Sequence, residues 1–518
     1  MKHAILYKTM FAKDRPFFAS LYTGTKVVNV MENEKKEVEP TQENHSGYIK
    51  MRKFSFVMLM FFLVFATAGI TTFALAFGDE KAVNVGVPER TEFKKLYDTY
   101  DELKKDYYKD IDQDKLVNGA INGMIESLDD PYSDYMTKEE AEKFHESISS
   151  SFQGIGAEIQ EKDGNIVVVS PIKGSPAEKA GIKPNDIILA VDGKSIHGMS
   201  ATDAVMLIRG KKGTDVTLTV QKAGSDEPTE IKITRDDIPL NTVNAEMMDN
   251  GIAKVQITSF SENTYKELQD ALADMEKQGM KGLVIDLRQN PGGLLDQAIK
   301  ISNLFVPEGK LILQVEDRNG KREKIAAEGG KKIDVPVSVL IDGGSASASE
   351  IFAAAVSQSA NIPLVGEKSF GKGTVQTASD FNDGSNIKFT TAKWLTPNGD
   401  WIHTKGIKPD VEAKLPDYAN LPYLNPDKEL KKEMVSSEVK AAEEMLKAIG
   451  LDPGKVDGYF DENTENAVKK FQENNKLSAD GILKGESTMD LMEKVREKIL
   501  QNDTQVKKAV EVLQKEKK

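Results

Sequence analysis

Three serines, one lysine and one glutamine in the second half of the chain have the types and spacing for nucleophilic chemistry. Gly343-Gly344-Ser345-Ala346-Ser347-Ala348-Ser349-Glu350 follows an apolar run, Val337 to Ile341; Phe370-Gly371-Lys372-Gly373-Thr374-Val375-Gln376 follows a second, Ile362 to Val365. A strand that runs into a turn of small residues lets the backbone and a bound chain approach closely. A serine hydroxyl is a poor nucleophile until a neighbour takes its proton, and a protonated lysine cannot take it. Lysine ordinarily titrates near ~10.4, and bringing it to the ~7–8 useful in a base costs the charged form ~4 kcal/mol, normally through loss of water. Lys372 is set for that, because glycines flank it, Phe370 and Val375 are close, and the run Ser369 to Gln376 contains no acid. Gln376, four residues on, can orient the amine without adding a charge that would keep it protonated. Asp286-Leu287-Arg288-Gln289-Asn290-Pro291-Gly292-Gly293-Leu294-Leu295 places a Gly turn at a helix start. Unpaired N–H groups there suit a developing oxyanion.

These pieces need a rigid frame. Residues 238–414 alternate apolar strands (Gly251 to Ile257, Gly282 to Leu287, Val337 to Ile341) with helical patterns (Thr264 to Lys277, Leu294 to Leu304, Ser349 to Ser357). That order predicts an α/β core with a largely parallel sheet and its reactive groups on loops at strand ends. Residues 151–237 read instead as short β-runs with one helix, capped by Ser200 with Asp203 at its third position and ending at Arg209-Gly210. Residues 78–150 are helical, broken by Asp129-Asp130-Pro131-Tyr132-Ser133, with a Thr137-Lys138-Glu139-Glu140 capping box.

Phe54 to Phe77 is an uncharged apolar run of 24 residues, enough to span ~30 Å of hydrocarbon at ~1.5 Å per residue. Lys50, Arg52 and Lys53 precede it and Asp79 and Glu80 follow. The charge bias predicts a single-pass anchor at 54–77 in the cell membrane, residues 1–53 cytoplasmic and the catalytic region outside. A cleaved signal peptide ending near Ala74-Leu75-Ala76 is the alternative, and Met31 and Met51 are alternative starts. A Pro-rich connector spans 415–434, and 435–518 form a charged helical module with two Asp-Gly turns; Val506, Val510 and Leu513 share one face of its final helix.

Composition removes several alternatives. With no cysteine among 518 residues, a catalytic thiol, disulfides and thiolate metal sites are excluded. A net charge of −13 without any basic-aromatic array argues against a nucleic-acid surface. No metal-ligand motif appears, and no cofactor is expected.

Phe152-Gln153-Gly154-Ile155-Gly156-Ala157, followed by Gly174-Ser175-Pro176-Ala177-Glu178-Lys179-Ala180-Gly181-Ile182 and Asp186-Ile187-Ile188, resembles a PDZ domain of sandwich or barrel-like form. Gly154, Ile155, Gly156 and Ala157 correspond to its carboxylate-binding loop, where successive N–H groups hold a peptide's C-terminus while its chain adds a strand. Val456-Asp457-Gly458-Tyr459-Phe460-Asp461, Phe471-Gln472 and Leu477-Ser478-Ala479-Asp480-Gly481-Ile482 resemble a three-helix peptidoglycan-binding domain. Taken with Leu128 to Ser133, Asp286 to Leu295, Gly344 to Glu350, Phe370 to Gln376, Thr396-Pro397-Asn398-Gly399 and Lys405-Gly406-Ile407-Lys408-Pro409-Asp410, residues 90–414 resemble the C-terminal processing peptidases, tail-specific serine proteases. The resemblance selects Ser347 from the three serines as nucleophile, with Lys372 as base and Gln376 orienting it, and assigns the oxyanion hole to Gly293 and the Ala348 backbone. It also implies protein substrates with accessible C-terminal tails, wall attachment, pairing with a second copy, and a part in regulated proteolysis such as sporulation signalling. Arg209 is a candidate link between peptide binding and catalysis.

Two other classes compete. Gly366-Glu367-Lys368-Ser369-Phe370-Gly371-Lys372 approaches a phosphate-binding loop, the mark of a nucleotide hydrolase, but Gly373 stands where that loop needs Ser or Thr. A membrane-tethered wall scaffold with an inactive core is the non-enzymatic reading, and an intact Ser347/Lys372/Gln376 set speaks against it. Of five histidines only His403 lies in the catalytic region, and it reads as an ordinary loop residue.

Overall fold

The structure, a computed structural model, describes residues 51–77, 90–223, 227–330 and 332–516, without the side chains of 68–77 and 516. The proposed cytoplasmic segment up to residue 50, the start at Met31 and the flanking acids Asp79 and Glu80 lie outside the described residues. Two compact units divide the chain after Asp106.

In the first unit, α1 (Lys53–Phe77) covers the apolar run as one helix, and its described side chains are exposed apart from the half-buried Ala66. Among the described residues no helix is long and apolar enough to cross a membrane. After it comes α2 (Lys94–Asp106), which buries no residue.

The second unit begins with α3 (Gln113–Glu126), β1 (Asp134–Met136) and α4 (Lys138–Ser149), the last opened by the expected Thr137/Glu140 capping box. The β-rich module follows: β2 (Ser151–Gly154), β3 (Ala157–Lys162), β4 (Asn165–Pro171), the short α5 (Pro176–Lys179), β5 (Ile187–Val191), β6 (Lys194–Ser195), α6 (Ala201–Ile208), β7 (Asp215–Gln221), β8 (Pro228–Thr234) and β9 (Asp236–Pro239). Its sheet runs β3-β4-β5-β7-β8 with β6 on β5, while β2 and β9 make a separate pair. Strand β3 is therefore an edge, open to an added strand.

The catalytic region contains β10 (Val243–Met247), β11 (Ile252–Ile257), α7 (Thr264–Lys277), β12 (Gly282–Asp286), α8 (Leu295–Ser302), β13 (Leu311–Asp317), β14 (Arg322–Ala326), β15 (Val337–Ile341), α9 (Ala348–Ala360), β16 (Leu364–Gly366), β17 (Thr374–Asp380), β18 (Asn386–Leu395) and β19 (Val411–Glu412). The order β10-β11-β12-β15-β16-β19 forms one sheet, parallel except for β10 against β11. Period-two alternation splits its strands between two cores. Val255, Leu283, Ile285, Val339 and Ile341 pack with α7, α8 and α9 on one side, while Ile252, Val284, Leu340 and Val365 face the other. Sequence patterning anticipated this sheet but not a second one, in which β18 pairs with β1, β13 and β17, and β14 extends β13.

Beyond it, α10 (Ser437–Ala448), α11 (Glu462–Asn474) and α12 (Glu486–Gln501) share a core built on Phe460, Phe471 and Leu491. The final helix, α13 (Thr504–Glu516), leaves that core. It lays Ala509 and Leu513 on Ile252, Val284, Leu340 and Val365, covering the second face of the catalytic sheet.

Candidate active site

The turn between β15 and α9 separates the three serines by their bonding. Ser345 is buried and donates its Oγ to the Leu287 carbonyl at 2.8 Å. Ser349 is likewise buried and donates to the Asn290 carbonyl at 2.9 Å. Both hydroxyls hold the turn together. Ser347 donates its Oγ to no described protein group, and its backbone sits at φ 54° and ψ −112°, a conformation that costs a non-glycine residue ~1–3 kcal/mol.

Glu350 holds that strain in place. Its carboxylate is fully buried and accepts four hydrogen bonds: Ser347 N–H at 2.9 Å and Lys372 N–H at 2.8 Å on Oε2, Gly371 N–H at 2.7 Å and Ser369 Oγ–H at 2.5 Å on Oε1. One side chain thus fastens the serine turn to the lysine loop. The run Ser369 to Gln376 holds no acid, and the acid beside the lysine arrives from the first turn of α9. The signal was present in the sequence as Ser-x-x-Glu, the capping-box spacing.

The glycine loop closes on the same turn. A Cβ on Gly292 would lie 2.7 Å from the Ala346 carbonyl oxygen and 2.9 Å from Ala348 N, and one on Gly293 (φ 142°) would lie 2.2 Å from the Phe260 carbonyl oxygen. Only glycines permit that approach. Asn290, fully buried, binds the two segments together: its carbonyl accepts from Ala346 N–H at 3.0 Å, and its Oδ1 accepts from Gly292 N–H at 2.9 Å. The backbones of Gly293 and Ala348 consequently lie on the two sides of one junction, with Ala348 the first residue of α9, where N–H groups lack intrahelical partners.

Lys372 is largely withdrawn from water, and burial, reinforced by the charge of Lys388, pulls its amine below the ordinary lysine range; the Asp130 and Glu350 carboxylates oppose that pull. Its Nζ lies 4.8 Å from the centre of the Tyr132 ring. Tyr132 belongs to the Asp-Asp-Pro-Tyr-Ser turn, which β18 holds by Thr390 N–H donating to Ser133 Oγ at 3.1 Å, with Ser133 Oγ donating in turn to Asp130 at 2.6 Å. The break between the helices at Asp129 to Ser133 therefore supplies one wall of the lysine site. Among the described residues no hydrogen bond joins Lys372 Nζ to Ser347 or to Gln376. Gln376 instead donates to Thr374 Oγ1 at 2.9 Å and Thr390 Oγ1 at 3.2 Å. His403 is no ordinary loop residue: it stacks on Trp401, meets Tyr132 edge-on, and accepts from Gly373 N–H at 3.3 Å. Trp394 Nε1 donates to the Lys372 carbonyl at 2.9 Å. After the lysine the chain continues as strand β17, whereas a phosphate loop would open a helix there.

In the β-rich module, Gly154-Ile155-Gly156-Ala157 joins β2 to β3, and the N–H groups of Ile155 and Gly156 donate to no backbone carbonyl. Arg209, at the end of α6, donates to Glu146 of α4 at 3.0 Å and lies 4.5 Å from the Phe152 ring of β2, two residues before that loop. The structure brings Arg209 to strand β2 and to helix α4.

Four family models match the chain: peptidase family S41 over 251–413, the N-terminal domain of activating protease CtpB over 74–140, a PDZ domain over 167–222 and a peptidoglycan binding domain over 435–492. The carboxy-terminal processing protease CtpA of Bacillus subtilis (strain 168) is 52% identical over 461 residues, 88% of this chain and 98% of the relative. The chain belongs to the S41 carboxy-terminal processing proteases. CtpB of the same organism is 42% identical over 424 residues, 81% of this chain and 88% of its own. As an S41 serine-type peptidase with a PDZ domain, the chain is a protease, and the nucleotide-hydrolase and inactive-scaffold readings fall away.

Proposed function

We propose that this S41 protease cuts protein substrates, selected by their C-terminal tails, through a serine acyl-enzyme. The observation that carries the reading is the bonding of the three serines: Ser345 and Ser349 donate their hydroxyls to main-chain carbonyls, and Ser347 alone is left on a strained turn against the glycine loop. Neutral Lys372 takes the proton of Ser347 Oγ as Oγ attacks the scissile carbonyl. The N–H groups of Gly293 and Ala348 receive the oxyanion, the protonated lysine returns a proton to the leaving amine, and water then hydrolyses the ester. With Lys372 Nζ over the Tyr132 ring and Gln376 turned to two threonines, Lys372 swings toward Ser347 to act.

The open edge of β3 and the backbone donors of Ile155 and Gly156 suit a tail that adds as a strand and ends in a carboxylate. Tail docking switches the site on through Arg209. The apolar stretch 54–77 anchors the enzyme in the membrane with its catalytic region outside, and the module at 435–492 holds it at the wall. Regulated proteolysis, sporulation signalling included, and pairing with a second copy follow from the resemblance alone.

The test is cleavage of a tailed protein by the full-length enzyme in detergent, with Ser347→Ala, Lys372→Ala and Gln376→Ala. Loss of cleavage in the first two and a partial loss in the third are expected. Undiminished cleavage by either of the first two would sink the mechanism. Resistance of the protein to alkaline extraction from membranes, lost on deleting 54–77, checks the anchor.

A further inference from the structure

The C-terminal module touches the catalytic region at a charged junction as well as through the apolar face of α13. Arg288 stands two residues beyond the end of β12 and five before Gly293. Its guanidinium is bidentate on Asp286, with Nε on Oδ1 at 2.9 Å and Nη2 on Oδ2 at 2.6 Å. The remaining bonds come from α13 and its cap: Nη2 donates to Asp503 Oδ2 at 2.8 Å and Nη1 to Gln505 Oε1 at 2.8 Å. All four groups are largely buried, the setting in which charge-assisted, planar bonds fix geometry most firmly.

Each α13 partner is itself fastened. The other oxygen of Asp503 accepts Val506 N–H at 2.9 Å, starting the helix. Gln505 Nε2 donates to the Ala413 carbonyl at 2.9 Å, and Ala413 N–H donates to the Gly366 carbonyl at 2.9 Å, where the chain leaves β16 toward Lys372. Asp503 and Gln505 thereby tie the strand end that precedes the glycine loop to the strand end that precedes the lysine loop.

We propose that α13 is a working part of the protease, with Asp503 and Gln505 as positioning residues that set the glycine loop through Arg288. The proposal rests on the reading of Ser347 as nucleophile and of that loop as its oxyanion site. A displacement of the donors by about 1 Å costs roughly 10²-fold in rate, so loosening one end of Arg288 should slow the chemical step and leave tail binding alone.

The experiment compares full-length enzyme with Asp503→Asn/Gln505→Ala, Asp503→Glu and Ser347→Ala, measuring kcat, KM and thermal unfolding on one tailed substrate. The double variant is expected to lose about 10- to 100-fold in kcat with KM within about twofold and the protein fully folded at the assay temperature; Asp503→Glu should recover much of the loss. Wild-type kcat in the double variant while Ser347→Ala is inactive would overturn the proposal, as would a fall in kcat that tracks the unfolded fraction. Wild-type activity in Ser347→Ala would instead remove the reading beneath it.

Discussion

Replacing Glu350 by glutamine separates the two things its carboxylate does. As an acceptor it receives Ser347 N–H, Lys372 N–H, Gly371 N–H and Ser369 Oγ–H. An amide keeps one oxygen and turns the other into a donor, so two of the four donors lose their acceptor whichever way the amide is oriented. At ~1–3 kcal/mol for each buried donor left unpaired, the loss is ~2–6 kcal/mol, large beside a total stability of ~5–15 kcal/mol. As a charge, Glu350 raises the Lys372 pKa against the pull of burial. Glu350→Gln should therefore lower the melting temperature, cut kcat by about 10²-fold because the serine turn and lysine loop are no longer held in register, and move the acid limb of the kcat profile to lower pH. The last effect has the opposite sign to that of simple loosening, which would admit water and move the limb upward. Measuring kcat from pH 5 to 10 on folded enzyme decides it. An unchanged profile, or one displaced to higher pH, would refute the assignment of Glu350 as the carboxylate that couples the two loops.

Ser347→Gly should abolish cleavage yet raise stability by about 1 kcal/mol, since relief of ~1–3 kcal/mol of backbone strain exceeds the entropy cost of glycine; a lower melting temperature would contradict the strained turn. Lys372→Met should be stabilising at neutral pH. The native amine titrates below its unfolded value, so its penalty is fully present below the native pKa and disappears as pH rises through the ordinary lysine value. Denaturant titrations at pH 7 and 11 should show the gain shrinking to nothing, and a gain that grows with pH would reverse the sign of the argument. Gly156→Val would place a Cβ 2.5 Å from Ser175 Cβ, so kcat/KM on a tailed protein should fall about tenfold or more while labelling of Ser347 by a small acylating reagent is unaffected; equal losses in both would place Gly156 outside tail recognition.

Much of the catalytic sheet was legible because β12 and β15 are each buried along all five residues, and mainly apolar runs of that length, broken only by Asp286 and Ser338, leave few other readings between helices. The second sheet was not, because β17 and β18 carry exposed and polar residues and β18 finds its other partners in the distant segments β1 and β13. The serine and lysine loops announced themselves by composition. Glu350, Tyr132 and His403 did not: a buried carboxylate and two aromatic neighbours acquire their meaning only from what the fold sets beside them. The apolar stripe on α13 declared that the helix packs on something, but a stripe carries no address, and its partner proved to be the catalytic sheet.

That address has a consequence for timing. Ile252 and Leu513, which share the second core, are about 260 residues apart in sequence (513 − 252). While the chain is being made, Val284, Leu340 and Val365 stay uncovered until α13 has followed the whole C-terminal module out of the ribosome. The strands can pair earlier, but the sheet keeps one wet apolar face throughout. A nascent chain of this design therefore closes the second core of its catalytic sheet only after the module similar to peptidoglycan-binding domains has been synthesised.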